Sequence, residues 1–272
     1  MRDLEFLSKK ARQLRVDTLD MILKAGSGHV GGSFSIAELL VALYYDKMNL
    51  GKGATDPDRD RFVLSKGHAN PILYADLMDI GFAPKEARDK LRRYGSPFQG
   101  HPDSTKCPGL DCSTGSLGQG LSIATGMALG LKKQGRPGQV YVITGDGELQ
   151  EGICWEAFMA ANAFALDNLT VIIDRNRLQL SAPTEETNPL DSVEEKLKSF
   201  NFVVDSIDGH DFEQIFRALD KKTAGKPHCI VANTVKGKGV SFMENGVKWH
   251  GALPAGDEIA AAYKELGVEY GK

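Results

Sequence analysis

Between residues 140 and 176 the chain reads VYVITGDGELQEGICWEAFMAANAFALDNLTVIIDRN. Two β-branched apolar runs, 140–144 and 169–174, flank a stretch with helical spacing, 152–166. A strand, a helix and a second strand in this order pair in parallel through a right-handed crossover. Further runs, FVLS, NFVVDSID and HCIVANTVKG, repeat the theme with helical segments between them. Strands this uniformly apolar are covered on both faces. The predicted fold class is therefore α/β, a mostly parallel β-sheet with helices on both faces.

The rest of the chain fits that plan. A helix is expected at 3–24, and a Gly-rich break, KAGSGHVGGSFS, leads into the periodic IAELLVALYYDKM, whose N-cap is read as Ser33 or Ser35. The segment YGSPFQGHPDSTKCPGLDCSTGSLGQG is too long to be a mere connection, and loops of that length tend to carry function. A helix at 117–133 follows it. No repeat or composition shift marks a boundary, so a single domain over 1–272 is expected.

Composition excludes several classes. A net charge of -3 offers no basic field for nucleic acid or an anionic membrane. No apolar run approaches the roughly 18 residues of a membrane span, and the charged opening MRDLEFLSKKARQLRVD is unlike a secretory signal. Cys107, Cys112, Cys154 and Cys229 lack CxxC spacing and read as free thiols of a reducing, cytoplasmic setting.

Chemistry gathers at the strand ends. Asp146 and Asn176 both leave carboxyl ends of strands, where open α/β sheets bind ligands. A carboxylate and an amide oxygen suit a hard divalent cation that keeps positions open for phosphate, while Gly145 and Gly147 allow a close backbone approach. The plain alternative is a turn pair and a loop asparagine. Four of the six histidines, His29, His68, His101 and His250, sit in irregular or Gly-rich segments, where imidazoles can bind oxygens and move protons. His210 and His228 read as structural. The run VKGKG, 235–239, lacks Walker spacing and reads as a solvated basic turn.

Taken together, GDG with an asparagine about 30 positions on resembles the thiamine diphosphate fingerprint. The ordered series SGHVGG, RFVLSKGHA, GHPD, GSLGQG, GDGELQEG, DRN, DGHD and KGKGVSFMENGVKWHGALP resembles the N-terminal region of the transketolase family over essentially the whole chain. The resemblance implies a thiamine diphosphate-binding fold in which Asp146, Asn176 and the backbone carbonyl of Leu178 hold Mg2+ or Ca2+. It implies that Gly147 offers its amide to the diphosphate. His68 and His250 would serve diphosphate and substrate oxygens, and His29 and His101 sugar hydroxyls or proton transfer. Backbone groups of Gly115 and Leu117 would meet the aminopyrimidine, with Leu117 and Leu180 packing on the cofactor rings. Glu151 and Glu156 match positions between cofactor sites, or are solvated first-turn acids.

In that family the glutamate that activates the cofactor lies in a second, pyrimidine-binding domain, and this sequence stops at Lys272. The resemblance thus implies the N-terminal subunit of a split transketolase, with a C-terminal partner subunit, two copies of each, and sugar phosphate substrates. A shortened chain would end the same way. Alternatives are a 1-deoxyxylulose-5-phosphate synthase-like enzyme, a 2-oxo acid dehydrogenase component, or a non-catalytic diphosphate-binding subunit; GHPD and LQEG favour transketolase over the first two.

Overall fold

The computed structural model describes residues 2–270, so the outermost positions of the expected 1–272 domain lie outside it. The chain opens with α1 (Leu4–Ala25), whose N-cap Asp3 accepts the Phe6 N–H at 2.9 Å and whose end is turned by Gly26 at φ 70°. α2 (Val30–Phe34), α3 (Ala37–Ala42) and α4 (Asn70–Asp79) follow. The expected cap at Ser33 or Ser35 is not there. α2 begins after His29, Ser33 Oγ bonds back to the His29 carbonyl at 2.7 Å, and Ser35 Oγ donates to Asp174 at 2.7 Å. Both hydroxyls are buried, so each takes a fixed internal partner instead of capping a helix.

Among the described residues the strands β1 (Arg61–Leu64), β2 (Val140–Gly145), β3 (Leu169–Arg175), β4 (Val203–Asp208) and β5 (His228–Asn233) form one sheet. Its order is β1-β2-β3-β5-β4, and every neighbouring pair is parallel. Alternation within the strands explains their apolar character. Tyr141, Ile143, Ile172 and Ile230 enter the apolar cluster on one face, and Val140, Val142, Val171, Ile173 and Val231 enter the cluster on the other. Over β1, β2, β3 and β5 neither face is left for water, while the edge strand β4 is partly exposed.

Helices then sort by face. α5 (Gln119–Lys133) and α6 (Gly152–Ala163) bury Leu121, Ala124, Ala128, Cys154 and Phe158 in one cluster. The short α7 (Thr184–Thr187) leads to α8 (Val193–Ser199), which joins that side through Val193 and Leu197. The opposite face takes α1, α3 and α4 together with α9 (Phe212–Leu219); α10 (Asp257–Glu265) closes the chain against it. The chain therefore steps across the sheet from β1 to β3 with α5 and α6 on one face, the long β1–β2 connection first sending α4 to the other. It then lands at the far edge as β4 and returns through α9, on the other face, to place β5 between. The carboxyl ends of β2, β3 and β5 consequently open at one place. No helix among the described residues is long and apolar enough to cross a membrane. All four cysteines are unpaired.

Candidate active site

Gly145 and Asp174 are register partners at the ends of β2 and β3, so Asp146 and Asn176 emerge from adjacent strands. Asp146 Oδ2 accepts the Arg177 N–H at 2.6 Å and the Arg175 guanidinium at 3.2 Å, while Oδ1 accepts the Gly147 N–H at 2.7 Å. The Gly147 amide expected to face a diphosphate is thus engaged within its own turn. Asn176 donates from Nδ2 to Asp174 at 2.8 Å and accepts the Leu178 N–H on Oδ1 at 3.1 Å, which fixes the orientation of its amide.

Electrostatics separate the two buried aspartates. Burial and the neighbouring Asp174 push the Asp146 carboxyl up from its ordinary range, and Arg175 offsets this only in part. Burial would raise Asp174 as well, but Lys66, Thr234 and Ser35 hold it below the ordinary range. A buried carboxylate short of positive charge, beside an amide oxygen and the Leu178 carbonyl, is a hard-oxygen set that fits a divalent cation. Among the described residues no three His, Cys, Asp or Glu side chains converge as a metal site, so any cation here would need amide and backbone oxygens.

Two lysines line the same cleft. Lys66 Nζ donates to the Gly32 carbonyl and to Asp174 Oδ2, both at 2.6 Å. Lys236 Nζ lies 3.1 Å from the Leu178 carbonyl and 2.9 Å from His250 Nδ1. Burial, with Lys66 nearby, presses the Lys236 ammonium down to about 8. The expected solvated turn at 235–239 is therefore overturned: Lys236 is only 2% exposed. Gly237 turns at φ 80° and donates to the Gly31 carbonyl at 3.1 Å, and a Cβ on it would meet the Met243 carbonyl at 2.5 Å. That packing draws the run inward. Sequence reasoning missed both lysines; the signal for Lys236 was its place next to β5 in an otherwise apolar stretch.

Three of the four loop histidines meet. His29, His68 and His250 form a triangle with ring centroids 5.1, 5.1 and 5.3 Å apart. Burial and surrounding cations lower His29 to about 4, His250 to about 3 and His68 well below its ordinary value. At neutral pH these rings are uncharged, each with one donor and one acceptor nitrogen. His101 stands apart from the triangle, against Gly115, where a Cβ would lie 2.9 Å from the imidazole. At φ 147° that position also favours glycine. His210 and His228 are held elsewhere: His210 bonds Glu38 at 2.8 Å and accepts the Val235 N–H at 2.9 Å, and His228 bonds Asp205 at 2.9 Å.

A cleft of about 320 Å3 runs from Lys66, His68 and His250 past Asp146 and Asn176 to the lips formed by Leu117 and Leu180. Leu180 is 68% exposed and Leu117 36%. Glu151 is exposed at the rim of the cleft and Glu156 on α6. Beneath them Glu148, also missed from sequence, ties three loops together. Its Oε1 accepts Ser65 Oγ at 2.5 Å and the Gly118 N–H at 2.7 Å, and Oε2 accepts the Gly145 N–H at 3.0 Å.

The chain as a whole has counterparts among known proteins. Residues 7–272 match the family model described as transketolase, thiamine diphosphate binding domain. The 6-deoxy-6-sulfo-D-fructose transketolase subunit SqwG of a Clostridium species is 44% identical over 97% of this chain and 97% of its own length. An apulose-4-phosphate transketolase subunit of Phocaeicola vulgatus is 42% identical over 97% of this chain and 93% of its own. The crystal structure of transketolase from Campylobacter jejuni superposes with a TM-score of 0.91 at 34% identity, covering 98% of this chain but 44% of that one. This chain thus spans less than half of that solved transketolase and nearly all of the two related subunits. The chain belongs to the transketolase family, as its N-terminal, thiamine diphosphate-binding domain.

Proposed function

We propose that residues 1–272 are one diphosphate-binding domain, acting as the N-terminal subunit of a two-chain transketolase that moves a two-carbon ketol unit from an anionic ketose to an aldose. The observation that carries this reading is the paired exit of Asp146 and Asn176 from β2 and β3 into a cleft that also holds two buried lysines and His68 and His250. Mg2+ or Ca2+ would be held by Asp146, the Asn176 amide oxygen and the Leu178 carbonyl. Lys66 and Lys236 would balance phosphate charge beside it. Leu117 and Leu180 offer apolar surface to the cofactor rings, and the backbone of Gly115 and Leu117 offers polar groups to the aminopyrimidine. Bound thiamine diphosphate supplies the nucleophilic carbon and the electron sink. Neutral His29, His68 and His250 would donate hydrogen bonds to carbonyl and hydroxyl oxygens and accept a hydroxyl proton, with His101 serving the outer hydroxyls.

A partner chain carrying the pyrimidine-binding domain and its activating glutamate would complete the site, in an assembly of two copies of each chain. Supporting this are the open lips of the cleft, with Glu151 at its rim, and the exposed side chains of Ile123, Glu156 and Met159 on α5 and α6. The relatives named for a sulfonated and a phosphorylated sugar support an anionic ketose donor. Four unpaired thiols accord with a cytoplasmic setting. The test is ketol transfer from a panel of phosphorylated and sulfonated ketoses, with Mg2+ and thiamine diphosphate, by this chain alone and with its co-purified partner. Activity only in the mixture is expected. Full activity from the chain alone, or none from the mixture with any donor, overturns the reading.

A further inference from the structure

We infer that Arg92 is a positioning residue that fixes the tautomer of His29, keeping the proton on Nε2 and the lone pair on Nδ1. The inference deepens the reading of His29 as a substrate-facing group and rests on it only for its consequence in turnover. A guanidinium has donors and no acceptor. Arg92 Nη2 lies 3.4 Å from His29 Nδ1, a contact that forms only if Nδ1 is unprotonated.

Several features hold Arg92 in place for this contact. Its backbone is left-handed at φ 60°, a conformation uncommon for so large a side chain, and its N–H donates to the Phe98 carbonyl at 2.7 Å. Nη1 donates to Ser27 Oγ at 3.4 Å. Gly100 packs beside the guanidinium, where a Cβ would stand at ordinary contact distance, 3.5 Å, from both Cζ and Nε. Nε is buried without a hydrogen-bond partner. Strain and an unpaired donor at one residue mark a position kept for what its remaining nitrogens do.

The surroundings of His29 leave the tautomer to be decided by contact. His68 and His250 face the ring at 5.1 and 5.3 Å, and burial with Arg92, His101 and Lys236 keeps it uncharged down to about pH 4. A neutral imidazole has two tautomers close in energy, and Arg92 selects one of them. The selected form presents an N–H from Nε2, the nitrogen that Arg92 does not occupy.

Long-range 1H–15N correlation spectra of the full chain with labelled histidine test this directly, with His29 signals assigned by their loss in His29→Gln. The wild type should show protonated Nε2 and bare Nδ1 at pH 7. Arg92→Leu should give mixed tautomers and move the His29 midpoint from about 4 toward the ordinary value of about 6.5, and Arg92→Lys should restore the wild-type pattern. His250, whose Nδ1 faces Lys236 at 2.9 Å, is the internal control and should not change. A wild-type His29 protonated on Nδ1, or an Arg92→Leu spectrum with unaltered tautomer and midpoint, overturns the proposal. The wild-type spectrum alone can overturn the proposal, by a proton on Nδ1, even if a variant fails to fold. None of these spectra depends on ketol transfer, so a failed transferase reading would be seen separately.

Discussion

The ammonium of Lys66 lies 2.6 Å from Oδ2 of Asp174, and almost nothing of either side chain reaches solvent. Each charge is tolerable because of the other. Removing one member of such a buried pair costs about 3–5 kcal/mol, since the survivor stays desolvated. Asp174→Asn should lose about that much in urea denaturation, and adding Lys66→Met, which removes the unpaired ammonium while the asparagine oxygen still accepts from Ser35, should recover part of it. The acid limb follows from the lowered Asp174 carboxyl. Its contribution is full above the ordinary value of about 3.9 and is lost as pH falls through the lower folded value, a slope Asp174→Asn should lack.

Asp146 should respond in the opposite sense. Its carboxyl is raised, so at neutral pH its charge opposes folding unless a cation compensates. Metal-free Asp146→Asn should therefore melt close to the wild type. With Mg2+ and thiamine diphosphate the wild type should gain, by about 2.7 kcal/mol at a hundredfold excess over Kd, and the variant should not. Thermal scans with and without a chelator check this. An equal gain in the variant would place the cation elsewhere.

Glu148 holds the ends of β1 and β2 to the loop before α5 through three hydrogen bonds. Glu148→Gln keeps the shape but turns an amide NH2 toward a backbone N–H. A loss of about 1–3 kcal/mol is expected, with faster hydrogen exchange at the Gly118 and Gly145 amides. Unchanged exchange there would show that the loops are held by other contacts.

Lys236 should make diphosphate binding pH-dependent. Its ammonium, pressed down to about 8, loses charge as pH rises through that value. Titration calorimetry of the chain with Mg2+ and thiamine diphosphate should show affinity falling between about pH 7 and 9. Lys236→Met should bind more weakly throughout and show no such step.

Asp76 in α4 is wholly buried, and beside the Tyr45 hydroxyl nothing among the described residues is placed to hydrogen-bond its carboxyl oxygens. Burial and the adjacent Asp79 push it well above its ordinary range. The folded state favours the neutral acid, so stability contributed at low pH is lost as pH rises past about 3.9 toward the raised folded value. Asp76→Asn should be more stable than wild type at neutral pH, by about 1–3 kcal/mol, and should show a weaker dependence on pH.

Much of this was legible in the chain because periodicity and glycine placement are local. The apolar runs predict parallel strands with both faces covered, and the sheet has that form except at its edge strand β4. Asp146 and Asn176 were legible as strand-end residues because one crossover separates them. What sequence could not supply is burial at a distance. Lys236 looks like a surface lysine until Gly31 and Met243 close over its loop, and Ser35 looks like a helix cap until Asp174 is seen beside it. Glu148 sits within a recognised motif, yet its three partners come from segments up to 83 positions away. Arg92 carries no pattern at all, since its role depends on a backbone angle.

Ile123 on α5 and Met159 and Phe164 at α6 remain 36%, 53% and 49% exposed on helices that already pack against each other. The exposed part of their apolar surface is not covered by this chain. In the two-chain assembly proposed above, that surface would tie the two chains to matched expression. Chains made in excess would carry an uncovered adhesive patch, and their loss to aggregation or proteolysis would hold the ratio of the two chains near parity without any dedicated control of transcription.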